Sequence, residues 1–380
     1  MVSKPWMGLV FLALAATPAG AQFDKLAIHG YGGWAAGFSD PNPYLAGSGD
    51  GEPNWQNLEV VLLVEAQPVD RLRIIFAPEF EVEEDSEESK IELLYAEWRL
   101  TDAVRLQAGR GRLAFGLYAD IYDVGTLRPF FYLPQSIYGH TGFVSEFYDG
   151  LGLVGRSQQG DWSLQWNAYV GGATLDIDEP FEEVLEGGVD SGEDDEDLEI
   201  AEAELELVAG ARLLVETPVE GLTVGFSVLA GQPEEAGDFA TGEDTTFGDF
   251  ASYALAAEYS RGPWTLRSEF GRHEENEFDT DAGYLELSYR LGDHWQVAGR
   301  WDKAEADFVG ELPEQFTSTL EHDELSLGLN YWWNANFVLK ASFHRVDGNL
   351  FAHAHGEISG VEGPLEARTD LVVFGAQFSF

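Results

Sequence analysis

Most of the chain alternates between apolar and polar residues with a period of two, which predicts β-strands with two chemically different faces. In the segment 281–291, Leu285 and Leu287 share one face. Glu286 and Arg290 share the other face. Strands that meet lipid on one side and a polar lumen on the other show this pattern. The pattern therefore predicts an all-β protein, a transmembrane antiparallel β-barrel.

Sixteen segments carry the pattern, and the links between them alternate in length. Short links such as Gly292-Asp293 follow long ones such as 231–248. Outer-membrane barrels have short periplasmic turns and longer outer loops, so this alternation predicts an even strand number with both termini in the periplasm. The predicted strands are 25–38, 55–67, 70–81, 89–100, 103–113, 147–157, 161–171, 200–217, 221–230, 249–261, 263–273, 280–291, 294–304, 320–332, 335–346 and 367–380.

The first 21 residues have the features of a secretory signal peptide. Lys4 supplies a positive charge, an apolar core follows, and small residues precede the predicted cleavage site after Ala21. Residues 22–380 then form the barrel. The chain ends with Gly375, Phe378 and Phe380 in a Gly-x-x-aromatic-x-aromatic pattern. This ending resembles that of outer-membrane barrel proteins, and the resemblance implies an assembly signal read by the barrel-assembly machinery of Gram-negative bacteria.

Composition narrows the class further. The formal net charge of −47 argues against a nucleic-acid partner, because phosphates would be repelled. No segment of 22–380 supplies the roughly 20 apolar residues of a transmembrane helix. The segment 171–200 holds 13 acidic residues and no Lys or Arg, which predicts a solvated acidic outer loop. The chain has no Cys and this loop lacks calcium-loop spacing, so neither a cofactor nor a metal site is expected.

The segment between the fifth and sixth strands, residues 114–147, is too long for a turn and rich in aromatic residues. Because an exposed apolar loop is costly in water, we expect it to fold into the barrel and narrow it. The segment resembles a stretch of porin-like outer-membrane proteins of Gram-negative bacteria. The residues that carry this resemblance are Gly109-Arg110, Phe115-Gly116-Leu117-Tyr118, Asp120, Asp123-Val124, Arg128-Pro129 and Pro134-Gln135-Ser136-Ile137-Tyr138. In general porins, the loop after this strand sets the pore width.

The few charges in and beside this loop are the candidate constriction residues, together with two of its tyrosines. Strict alternation would direct Arg110 and Arg112 toward lipid. Either a bulge at Gly109 or Gly111 redirects both side chains, or both lie at the outer rim. Arg128 has a second interpretation, as a salt bridge that ties the loop to the wall. The predicted set is Arg110, Arg112 and Arg128 opposed to Asp120 and Asp123, with Tyr118 and Tyr122.

Charged residues of both signs fall on the polar faces of the strands and should line the lumen. Adjacent strands could pair Arg267 with Glu286, or Glu269 with Arg290. Opposed acidic and basic walls would sort permeants by charge, whereas solvated wall residues would not. The predicted lumen wall comprises Glu97, Arg99, Arg212, Arg267, Glu269, Glu286, Arg290 and Arg300.

These features predict a passive diffusion channel for small hydrophilic solutes or ions, with cation preference because acids dominate. We expect no enzymatic activity. A barrel enzyme of the lipase or protease type remains an alternative, since His140, His344, His353 and His355 are present without a nucleophile motif. A structural or adhesive barrel is another alternative. Outer-membrane lipid and lipopolysaccharide are expected partners, and the resemblance suggests a homotrimer.

Overall fold

The protein is described by a computed structural model over residues 25–49, 51–82, 87–139, 146–176, 202–233, 249–275, 278–308, 320–352 and 365–380. The predicted signal peptide and residues 177–200 of the acidic loop lie outside these ranges, as do His140, His353 and His355. The strands are β1 (Leu26–Asp40), β2 (Asn54–Val69), β3 (Leu72–Val82), β4 (Glu87–Arg99), β5 (Val104–Arg112), β6 (Phe147–Gln159), β7 (Trp162–Asp176), β8 (Glu202–Glu216), β9 (Leu222–Pro233), β10 (Phe250–Arg261), β11 (Trp264–Glu275), β12 (Phe278–Leu291), β13 (Trp295–Phe308), β14 (Glu321–Asn334), β15 (Phe337–Asp347) and β16 (Arg368–Ser379).

The sixteen strands close into one barrel, which confirms the predicted fold. Each strand pairs antiparallel with its neighbours in sequence, and β1 pairs with β16. At this seam, the amide of Gly30 donates to the carbonyl of Phe380 at 3.1 Å, and the amide of Phe380 donates back at 2.8 Å. Gly375 lies opposite Ala35, where a Cβ would come within 2.3 Å of the Trp34 carbonyl oxygen. A side chain at Gly375 would therefore force the seam apart.

The two faces of the sheet are inverted relative to a water-soluble protein. In β14, Leu325 and Leu327 are more than half exposed, whereas Glu324 and Ser326 are completely buried. The same inversion recurs in β12, where Leu285 is exposed and Glu286 is buried. An apolar outer band with polar residues inside is the arrangement of outer-membrane barrels. Among the described residues, no helix is both long and apolar enough to cross a membrane.

The two ends of the barrel differ. At one end, the connections β2–β3, β4–β5, β6–β7, β8–β9, β10–β11, β12–β13 and β14–β15 contain two to five residues each. We call this the short-turn end and the opposite one the long-loop end. Exposed tryptophans lie where strands meet the short-turn end, an arrangement typical of a ring of aromatic side chains at a membrane interface. They are Trp98, Trp162, Trp264, Trp295 and Trp333.

Residues 113–139, here called the inserted loop, connect β5 to β6 on the long-loop side. The loop contains two 3₁₀ turns, Ala119–Ile121 and Gly125–Leu127, and one α-helical turn, Gln135–Tyr138. Most of its aromatic and aliphatic side chains are buried or half-buried, as expected for a loop that apolar, although Leu127 is more than half exposed. The backbone of the loop also requires glycine at position 116, because Gly116 has a φ of +68°. A Cβ there would approach the Tyr138 hydroxyl to 2.0 Å.

Candidate functional site: the loop inside the barrel

One side of the inserted loop is bound by cations and an amide from β13, β14 and β15. The ammonium group of Lys340 donates to three loop carbonyls, those of Gly125 and Arg128 at 2.7 Å and that of Phe130 at 2.9 Å. Arg300 donates to the carbonyl of Tyr132 at 3.0 Å. Backbone carbonyls in an irregular loop need donors when they are buried. The wall supplies those donors here.

Asn330 and the ring of Phe130 extend this contact. The side-chain amide of Asn330 donates to the carbonyl of Pro129 at 2.7 Å. The guanidinium of Arg300 lies 4.7 Å from the centre of the Phe130 ring, a cation–π distance. Polar and aromatic groups of the loop therefore both pack on the same sector of the wall.

The other side of the loop is bound by tyrosines and carboxylates. The hydroxyl of Tyr118 donates to Glu286 at 2.6 Å, and that of Tyr138 donates to Glu269 at 2.6 Å. Glu269 also accepts from the hydroxyl of Tyr284 at 2.6 Å and from the amide of Leu117 at 3.1 Å. Hydrogen bonds to a charged acceptor are about twice as strong as neutral ones. Glu269 and Glu286 thus attach the loop to β11 and β12.

Arg212 on β8 completes this attachment. Its guanidinium donates to the carbonyl of Gly116 at 3.0 Å and to Asp120 at 2.6 Å. On β9, the hydroxyl of Ser227 accepts from the amide of Gly116 at 2.9 Å. Wall residues on the inward faces of β8, β9 and β11 through β15 therefore contact one loop. A segment outside the barrel could not reach these faces, so the loop lies in the lumen. This geometry agrees with the predicted inward folding of the segment between the fifth and sixth strands.

The loop leaves a gap on the opposite side, against β2, β3 and β4. The gap has a volume of about 170 Å³ and is polar. Five acidic side chains face two basic ones in it, so acidic groups outnumber basic groups. The charged residues that line it are Glu59, Glu79, Glu81, Asp123 and Glu146 with Lys90 and Arg128.

Arg112 and Asp123 meet at the edge of this gap. The guanidinium of Arg112 bonds to Asp123 and, at 2.7 Å, to Glu92. It also lies 5.3 Å from the ring centre of Tyr122, whose hydroxyl donates to the carbonyl of Tyr138 at 3.0 Å. Burial raises the pKa of Asp123 above its ordinary value, although Arg112 opposes this rise.

Arg110 is separated from the other predicted constriction residues. It lies directly opposite Leu94, which is exposed on the outer face, and it bonds to Asp149 on β6 at 2.6 Å. Directly opposed residues share a face, so Arg110 faces outward. Gly109 has a φ of +123°, but strand pairing continues through it on both sides without a bulge. Of the two alternatives for Arg110, a bulge that redirects it is therefore absent, and Arg110 lies on the outer face near the end of β5. Its assignment to the constriction needs correction.

Apart from Arg110 and Arg112 on β5, the predicted constriction residues all lie on the inserted loop. Tyr118 and Asp120 attach to the wall, while Tyr122, Asp123 and Arg128 line the gap. Arg128 is buried with its side chain in the gap, and its carbonyl accepts from Lys340. These residues of the inserted loop therefore either attach the loop to the wall or line the gap beside it.

Lumen-wall residues near the short-turn end form a basic group. Arg99, Arg105 and Arg156 line a cavity of about 400 Å³ with Asp102 as its one acid. Glu97, which is buried, accepts from Arg73 at 2.6 Å nearby. This part of the wall near the short-turn end therefore carries more basic than acidic groups.

Other wall predictions have mixed outcomes. Arg267 lies 3.5 Å from Glu286, as predicted, and bonds to Glu258 at 2.6 Å. Glu269 contacts the loop tyrosines and not Arg290. The guanidinium of Arg290 instead stacks 4.2 Å from the ring centre of Trp332.

Several gap residues were missed from the sequence. Glu79 and Glu81 alternate with Phe80 and Val82, so the period of two was an available signal. Glu92 gave no such signal, because an irregularity in the β3–β4 pairing places it between Ile91 and Leu93, which pair with Pro78 and Ala77.

Comparison with known proteins supports the architecture. No protein-family model matches the chain, and no curated protein matches it. Among solved structures, Salmonella typhi OmpF in complex with daunomycin aligns with a TM-score of 0.59 and 13% identity, covering 94% of this chain and 98% of that chain. An anion-selective porin from Comamonas acidovorans aligns with a TM-score of 0.58 and 10% identity, covering 93% and 99%.

A trimer form of OmpT, an outer membrane protein of Vibrio cholerae, aligns with a TM-score of 0.56 and 14% identity, covering 94% of this chain and all of that chain. At these identities the similarity concerns the fold. The fold is that of the porin-like outer-membrane β-barrels, and the chain is a closed sixteen-stranded member of that architecture.

Proposed function

We propose that the protein is an outer-membrane porin, a passive diffusion channel for small hydrophilic solutes or ions, and that it prefers cations. The observation that carries this proposal is the one-sided attachment of the inserted loop. The loop contacts β8, β9 and β11 through β15 and leaves a polar gap against β2, β3 and β4. A loop that is bound to one side of the wall narrows the lumen without closing it.

The charge of the gap supports cation preference. One unit charge at about 6 Å in a water-like medium changes the energy of a cation by about 0.7 kcal/mol, roughly a threefold change in its partition. With five acidic side chains against two basic ones, the gap should favour cations despite the arginines at the short-turn end.

The test is single-channel recording with the refolded mature protein in planar bilayers. We expect ohmic steps and a reversal potential that favours cations in a salt gradient. Glu81→Gln should reduce the cation-to-anion permeability ratio about threefold, because Glu81 lines the gap and its side chain is one third exposed. Glu220→Gln is the matched control, because Glu220 is exposed in a short turn. No conductance from a folded barrel would overturn the channel proposal, and a chloride-favouring potential would overturn the selectivity.

One observation favours a second function, a hydrolase. The hydroxyl of Ser342 lies 2.7 Å from Nε2 of His344, whose Nδ1 lies 2.9 Å from Glu324. This order of contacts matches a Ser-His-acid triad. His344 and Glu324 are completely buried, however, and the ring of Phe130 on the inserted loop lies 6.0 Å from that of His344.

A substrate would have to displace the inserted loop to reach Ser342, so we favour the channel and propose no enzymatic activity. A fluorophosphonate probe distinguishes the two functions. Labelling of the wild type that disappears in Ser342→Ala would indicate a hydrolase.

Assembly and surface contacts follow from the same proposal. We propose that Gly375, Phe378 and Phe380 are read by the barrel-assembly machinery, that the outer band meets lipid and lipopolysaccharide, and that the barrel is a homotrimer. Light scattering of the detergent-extracted protein tests the trimer. Deleting the acidic loop tests the adhesive alternative, because a channel keeps its conductance without that loop and an adhesin loses its surface binding.

A further inference from the structure

Three potential metal ligands meet in the lumen wall near the long-loop end. Asp302 on β13 lies directly opposite Glu324 on β14, and His322 precedes Glu324 by two residues on the same face. All three are essentially inaccessible to solvent. One potential ligand atom from each lies within 4.8 Å of the other two. Neither Asp302 nor His322 belongs to the predicted lumen wall.

These groups are incompletely bonded. Nε2 of His322 lies 3.7 Å from Asp302 and 3.8 Å from Glu324, and both distances exceed the range of a hydrogen bond. Within the described part of the chain, neither ring nitrogen of His322 has a hydrogen-bond partner, and neither does Oδ1 of Asp302. Buried polar groups in folded proteins almost always have partners. These buried nitrogen and oxygen atoms therefore lack the bonding partner that such atoms normally have.

A metal ion fits these distances. Zn²⁺ binds imidazole nitrogen at about 2.0–2.1 Å and carboxylate oxygen at about 2.0–2.2 Å. Tetrahedral angles then place nitrogen and oxygen about 3.4 Å apart. The observed separations exceed this by a few tenths of an ångström. We propose that Asp302, His322 and Glu324 form a binding site for a divalent transition-metal ion of the zinc class.

The charges around the cluster also favour a bound metal ion. Glu324 is balanced by Arg300 at 3.2 Å and oriented by His344 at 2.9 Å. Asp302 accepts from the amide of Ser136 at 3.3 Å, and among the described residues no Lys or Arg lies within salt-bridge distance of it, so that Arg300 acts on it only at longer range. A buried charge is normally paired or bound to a metal. Imidazole with carboxylates suits zinc-class ions, whereas Ca²⁺ and Mg²⁺ prefer oxygen ligands alone.

The alternative is a protonated His322 that bridges the two carboxylates. An imidazolium has two N–H donors, and each needs an acceptor when it is buried. Nδ1 has no acceptor among the described residues, and Nε2 is too far from both carboxylates. The metal accounts for the separations better.

Residues from three loops cover the site. The hydroxyl of Tyr44, in the connection after β1, donates to Glu324 at 2.5 Å, and the ring of Phe351 lies 4.8 Å from that of His322. Ser136 belongs to the inserted loop. A bound metal would therefore stabilise the positions of these three loops against the wall. Because the site is covered, the metal should enter during folding.

The test is to refold the protein with equimolar Zn²⁺ in a large excess of Mg²⁺, remove unbound metal by gel filtration and count zinc by mass spectrometry. The Mg²⁺ occupies weak acidic sites. We expect one zinc per chain in the wild type and in the control His273→Gln, which alters another buried lumen histidine. His322→Gln and Asp302→Asn should each lower the affinity at least about 100-fold.

Refolding with Co²⁺ adds a spectroscopic readout, since a tetrahedral site with a nitrogen ligand gives visible absorption bands. Folded wild-type barrel without zinc would overturn the proposal. Zinc retained equally by His322→Gln and Asp302→Asn would also overturn it, because the metal would then lie elsewhere. If one variant fails to fold, the other variant and the wild-type stoichiometry still decide.

Discussion

Replacing Lys340 by Met should release one side of the inserted loop. The ammonium group donates three hydrogen bonds to loop carbonyls, and hydrogen bonds to charged groups contribute about 1.5–3 kcal/mol each. The gross loss is therefore roughly 4–9 kcal/mol. Burying an ammonium group costs several kcal/mol, and Met removes that cost. We expect a net destabilisation of the attached loop of about 1–3 kcal/mol.

A change of this size raises the population of the released loop about fivefold to 150-fold. In single-channel records, Lys340→Met should show flickering and a larger maximum conductance than the wild type. Lys303→Met is the control, because Lys303 is exposed and bonds only to Glu305 among the described residues. Heat-dependent migration on gels verifies that each barrel is closed. Identical conductance and noise in Lys340→Met and wild type would refute the proposed attachment.

Three further predictions follow from charge and burial. Cation preference should decline on mild acidification, because burial raises the pKa of Asp123 above the ordinary range for aspartate. Asp123→Asn should make the reversal potential less dependent on pH in this range. The double variant Arg105→Ala/Arg156→Ala should increase cation preference, and an unchanged reversal potential would show that this basic cavity does not influence permeation. Leu327→Lys should destabilise the barrel in vesicles by about 2–4 kcal/mol, whereas Leu291→Lys at a strand end should cost at most about 1 kcal/mol; equal costs in urea unfolding would contradict a lipid-facing outer band.

The strands were predictable because lipid and lumen impose opposite demands on successive residues. Leu327 and Ser326 must lie on different faces, so the alternation within each segment is enough to predict that it is a strand. The inward folding of the loop was likewise predictable from its aromatic content. Neither inference required knowledge of which strands are neighbours beyond their order in the chain.

The details of the site depend on contacts between distant residues, which a single sequence does not encode locally. Glu269 was predicted to face Arg290, but the loop tyrosines provide closer donors. Arg110 and Arg112 have the same local pattern, yet Arg112 contacts Glu92, whose position depends on an irregularity in the neighbouring pair of strands. His322 meets Asp302 only because of the β13–β14 register.

The pairing of β1 with β16 has a consequence for how the protein folds. Every other strand pair joins sequence neighbours, so hairpins can form early, but the seam joins residues such as Tyr31 and Ser379 from opposite ends of the chain. Such a non-local contact forms slowly, because the entropy of closing the whole chain must be overcome first. Until then both edge strands expose unpaired amides and carbonyls, which cannot enter lipid. Closure of the seam is therefore expected to be the late, rate-limiting step of insertion.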